Sequence, residues 1–89
     1  MANHVAIIQA TRAAARLIND IASFKRVIAD AERESAAAAR MLRAGTMRPD
    51  DAAHIRTLAQ GNWIRATARL HRAELKLAAA QSILERNPL

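Results

Sequence analysis

The sequence predicts an all-α chain: a single helical-hairpin domain over residues 1–89, with two long helices running antiparallel along an alanine-rich, coiled-coil-like seam. Three observations predict it. Alanine recurs at every seventh position through Ala52, Ala59, Ala66, Ala73 and Ala80, and a second seven-residue series, Trp63, Leu70, Leu77 and Leu84, lies between them. Strong helix formers dominate the composition, with only two glycines, two prolines and two aromatic residues, Phe24 and Trp63. The only cluster of helix breakers inside the chain is GTMRPDD, residues 45–51.

The first helix is expected over residues 3–44. One of its heptad series runs Ile7, Ala14, Ile21, Ile28, Ser35 and Leu42, and the other runs Ala10, Leu17, Phe24, Ala31 and Ala38. The side pointing directly away carries Arg12, Asn19, Arg26, Arg33 and Arg40, as a solvated stripe should. The turn covers residues 45–48. Gly45 suits a left-handed helix C-cap and Pro49 the first turn of the next helix, while Asp50 and Asp51 favour that helix's positive end. The second helix is expected over residues 49–86. Gly61 and Asn62 fall inside it and predict a kink or a close backbone contact, at a cost of about 1 kcal/mol relative to alanine. Each helix is then roughly 55 to 60 Å long.

Folding the second helix back across so short a turn pairs Leu17 with Ala73, Phe24 with Ala66, Ile21 with Leu70, and Ile28 with Trp63. Large residues face small ones in several layers, which fills a seam without overpacking and lets two backbones approach closely. Trp63 is expected in this core. The large residues concentrate toward the open end, and Ser35, Ala38, Ala52 and Arg56 near the turn predict that the turn end is the looser one. Ile18, Val27 and Met41 with Leu58 and Ile64 form a second apolar margin, wider than one partner helix covers. Two hairpins dimerising into a four-helix bundle would cover it, as would a different protein in a hetero-complex.

Charge is the second informative feature. Fourteen basic residues, twelve of them arginine, against eight acidic ones give a net charge of +6. On the second helix Arg65, Arg69, Arg72 and Lys76 recur at three- and four-residue steps, with Ile55 at one end and Ile83 at the other as candidate apolar anchors. Arginine's planar fork suits carboxylate and phosphate, so this expected outer face predicts a protein partner with an acidic surface and, as the alternative, nucleic acid. A single-strand stacking platform is not expected, because both aromatics fall on the seam. A helix-turn-helix needs short helices crossing steeply, which this pattern does not provide.

Other function classes find little support. There is no cysteine, hence no disulfide or thiolate metal site, and His4, His54 and His71 share no ligand spacing; no metal or cofactor is expected. Glu32 and Glu34 lie on different helix faces and Ser35 and Ser82 lack a neighbouring base, so no enzymatic activity is expected. No apolar run approaches the roughly 20 residues of a membrane span. The N-terminal stretch MANHVAIIQATRAAAR has no basic leader before its apolar patch, which points to the cytoplasm.

In plan, two helices joined by the Gly/Pro-containing turn GTMRPDD, the chain resembles the small helical-hairpin co-chaperones of type III secretion needle subunits. The resemblance implies a protein that works by covering a partner. Small viral inhibitors of bacterial proteins share that mode. The expected function is a non-catalytic protein-protein interaction module: an adaptor, chaperone-like partner or inhibitor.

Overall fold

The computed structural model describes residues 4–87 and forms two helices, α1 (His4–Arg43) and α2 (Pro49–Arg86), packed against each other along their length. The expected helical start at residue 3 lies outside the described residues. At the Cα level the molecule measures 67 × 15 × 14 Å. Two straight parallel helices lying side by side would be only about 5 Å thick in one direction, since the Cα cylinder has a radius of about 2.3 Å. The nearly equal transverse dimensions therefore mean that the pair winds around itself, as a seven-residue repeat on a 3.6-residue helix requires.

The turn is built by the residues that specify it. Gly45 has φ +75°, the left-handed conformation that side chains disfavour, and it ends α1 with a double backbone closure. The Gly45 N–H donates to Leu42 O at 3.1 Å and the Thr46 N–H to Met41 O at 2.9 Å, satisfying carbonyls that the helix end leaves open. Arg48 then adopts an extended backbone (φ −70°, ψ 145°), and Pro49 starts α2 with its φ already set and no N–H to satisfy. Arg40 and Arg43 lie in the last turn of α1, and Asp50 and Asp51 in the first turn of α2, each favourable to its helix dipole. A Cβ added at Gly45 meets nothing within 4 Å, so its replacement tests backbone strain alone. Gly45→Ala is expected to cost about 1 kcal/mol, and thermal unfolding should show the melting point lowered by roughly 5 °C.

The seam is alanine. The buried residues among those described are Ala10, Ala31 and Ala38 of α1 and Ala52, Ala59, Ala66, Ala73 and Ala80 of α2. All five members of the α2 alanine series are thus buried, and the α1 series supplies the facing row, with Leu17 and Phe24 half-buried within it. Among the described residues no large side chain is fully buried. Two helices present only one line of mutual contact, so each bulky residue is covered on one side and left open on the other.

Three expectations about this core are corrected. The seam closes toward the turn instead of loosening: Ala80 is 6% exposed at the open end, whereas Ala59 and Ala52 are each 1% exposed. Small residues at Ser35, Ala38 and Ala39, together with the tether at Gly45, account for the fuller cover of the alanines there. Trp63 is not in the core; it is 39% exposed at the seam's edge, and its indole Nε1–H donates to Glu32 Oε1 at 3.1 Å. An indole is too large to lie between two backbones that alanine has brought together. α2 also runs unbroken through Gly61 and Asn62. Gly61 lies nine residues after Ala52, about half a turn away from the seam at 100° per residue, so it brings no helix close. The space over it is taken by the Arg65 guanidinium, 3.3 Å from where a Cβ would stand.

Candidate protein-binding surface

The antiparallel arrangement gives the hairpin two unlike lateral sides. At about 100° per residue, the α1 row Ile7, Ala14, Ile21, Ile28, Ser35 and Leu42 lies to one side of the buried row, and Ala13, Asp20, Val27, Glu34 and Met41 to the other. On α2 the corresponding rows beside the alanines are Arg56, Trp63, Leu70, Leu77 and Leu84, and Ile55, Asn62, Arg69, Lys76 and Ile83. Two grooves establish which row meets which. Ser35, Ala36, Arg56 and Trp63 line one groove together, of about 590 Å³. Asp20, Arg69, Arg72 and Lys76 line another, of about 160 Å³, whose floor is Leu17, Phe24 and Ala73. The isoleucine row of α1 therefore shares a side with the leucine row of α2. The Asp20 row shares the opposite side with Arg69 and Lys76.

The basic residues singled out in the sequence lie on this second side, at the margin of the seam. Arg69, Arg72 and Lys76 are exposed and come together over one groove. Arg65 is exposed as well, but its Nη2 donates to Asn62 Oδ1 at 2.8 Å, which holds it back along its own helix. Ile55 and Ile83 are half-buried seam-edge residues in the same heptad row as Arg69 and Lys76. Their separation of 28 residues places them about 42 Å apart along the helix, so the structure does not bring them to the groove.

The electrostatics of that groove are simple. Asp20 is the one carboxylate on its wall, and among the described residues the only ion pair within 4 Å is Arg33 with Asp30, three residues apart on exposed α1 surface. Arg69, Arg72 and Lys76 thus present their donors to solvent beside an apolar floor. The sequence pointed to these basic residues and to Leu17 and Phe24 against the alanines of α2, but not to Asp20 as the facing wall. The heptad position of Asp20, three residues after the seam residue Leu17, is the signal that would have found it.

The first side is apolar. Ile7, Ile21, Ile28, Leu70, Leu77 and Leu84 are half-buried, and Ile18, one sector further out, is 55% exposed. The Thr67 Oγ1 atom on this side is buried with no hydrogen-bond partner. The second apolar margin expected from the sequence is split: Ile18 and Ile64 border this side, while Val27, Met41 and Leu58 border the basic one. All five are exposed.

His4, His54 and His71 are exposed. Among the described residues no group of three His, Cys, Asp or Glu side chains is placed to hold a metal ion, and no helix is long and apolar enough to cross a membrane. Compared with protein families, with curated proteins and with solved structures, the chain matches none.

Proposed function

We propose that this chain is a non-catalytic protein-interaction module of the cytoplasm, an adaptor, chaperone-like partner or inhibitor, that docks an acidic protein surface along its basic side. The reading is carried by one observation: Arg69, Arg72 and Lys76 converge on a groove with a hydrophobic floor and a single carboxylate, and none of the three is committed to an ion pair among the described residues. Guanidinium forks beside an apolar floor offer a partner both charge-assisted hydrogen bonds and buried area. Interfaces are enriched in arginine for this reason. Association of the hairpin into a four-helix bundle belongs to the same proposal, because a chain whose buried side chains, among the described residues, are all alanines gains its missing apolar burial from another helical surface.

The test is capture of the partner by the immobilised chain and by the Arg69→Glu/Arg72→Glu variant. The variant should lose capture by at least about tenfold, each desolvated charge pair at an interface contributing about 1.5 kcal/mol or more. Its helicity and melting point should be unchanged, both side chains being exposed. Intact capture rejects the docking site. A DNA duplex and an RNA strand belong in the same assay, because arginine forks accept phosphate equally well. A nucleic-acid complex whose affinity falls steeply with salt would replace the protein-docking reading.

A further inference from the structure

We infer that the apolar side of the hairpin is covered by a second copy of this chain, packed with its turn at the same end, so that α1 of each copy lies against α2 of the other. This rests on the interaction-module reading above and names the occupant of the side that the basic groove leaves unused.

Surface area is the first argument. A compact monomer of 9.7 kDa exposes roughly 5,100 Å² by the usual scaling of surface with mass. This chain exposes 6669 Å². The surplus, about 1,500 Å², exceeds the roughly 800 Å² that each partner contributes to a standard stable interface. A second hairpin laid along the apolar side removes area of that order.

Charge is the second argument. A chain with a net charge of +6 repels its own copies unless the touching surfaces are neutral. The charged residues in the sectors bordering the apolar side are Lys25, Glu32, Arg56 and Glu74, two of each sign. They cancel, so the excess positive charge lies elsewhere, on the basic side and the outward arginine stripe of α1. A hetero-partner for the positively charged molecule would be expected to use that excess. A second copy needs a face without it, and this is the face available.

The orientation follows from where the bulk lies. Ile7 and Ile21 on α1 and Leu70, Leu77 and Leu84 on α2 occupy the half of the hairpin away from the turn, Ile28 and Trp63 lie near its middle, and Ser35, Ala36 and Ala39 line the half near the turn, where Leu42 is the one large member of the row. Stacking the copies with turns at opposite ends lays the bulky half of each on the alanine half of the other. Turns at the same end stack bulky half on bulky half and keep Glu32, Arg56 and Gln60 near the turn from being buried under isoleucine and leucine. A two-fold axis parallel to the long dimension does this and makes every neighbouring helix pair antiparallel.

Three measurements decide it. Light scattering of the purified chain at about 100 µM should give twice the 9.7 kDa chain mass, and the monomer mass there overturns the inference. Ile21→Glu and Leu77→Glu, tested singly, should each return the mass to that of one chain with helicity retained; a dimer that survives both substitutions sits on another face and also overturns it. Because a charged variant could lose its fold, a spin label at Thr46→Cys in an otherwise cysteine-free chain provides a check on the undisturbed interface. Turns at the same end put the two labels within about 30 Å, given helix spacings of about 10 Å. A separation near the 67 Å length of the molecule overturns the proposed orientation. Arg69→Glu/Arg72→Glu should stay dimeric, so failure of the dimer and failure of acidic-partner docking read out separately.

Discussion

Ala52→Leu is expected to destabilise the hairpin by about 3 kcal/mol, lowering its melting point by on the order of 15 °C. Ala52 is 1% exposed, among the most completely covered residues of the seam. Three added carbons at so enclosed a position push the helices apart, and the neighbouring alanine contacts loosen with them. Helix propensity does not explain the loss, since leucine ranks just below alanine. The control is Ala78→Leu, an exposed position of the same helix, which should change stability by no more than about 0.5 kcal/mol. Urea denaturation of both variants, followed by far-ultraviolet circular dichroism, checks the contrast. Equal effects at the two positions would show that the alanine row is not a close-contact seam.

The second large effect is a size exchange across one layer. Leu17 and Ala73 lie on the floor of the same groove, with Leu17 half-buried and Ala73 buried. Leu17→Ala should cost about 1.5 kcal/mol, below the range for a fully enclosed leucine because part of the side chain is already in water. Ala73→Leu should cost about 2 kcal/mol by overfilling the same layer. The double variant exchanges the two volumes and should be at least about 1 kcal/mol more stable than the sum of the single losses predicts. Additive losses would mean that the two residues do not share a layer, and the register of the hairpin would have to shift.

The elements were legible in the sequence because their signals are local. Gly45 and Pro49 mark the turn through backbone chemistry that no tertiary contact alters, and seven-residue spacing on a 3.6-residue helix fixes a single contact line. The register was legible too. A large residue on one strand of the repeat facing an alanine on the other specifies Leu17 against Ala73 by volume alone. Gly61 misled because glycine's meaning depends on its face: toward the seam it would have permitted close approach, whereas away from it the residue became a resting place for Arg65. The basic residues of the candidate site were legible as a run at helical spacing. The facing carboxylate was not, because Asp20 is about fifty residues away in the chain and reaches Arg69 only when α1 and α2 are folded together.

The sequence by itself therefore determined two helices, one turn and one alanine seam, since each follows from the spacing and backbone preferences of residues close in the chain. Only the tertiary structure decided that Asp20, Arg69 and Lys76 share the side opposite the isoleucine and leucine rows. That division comes from laying one right-handed helix antiparallel against another, which turns the same flank of both repeats in the same direction. It also displaced Trp63 to the edge, where its indole meets Glu32, because backbones brought together by alanine leave no room for an indole between them.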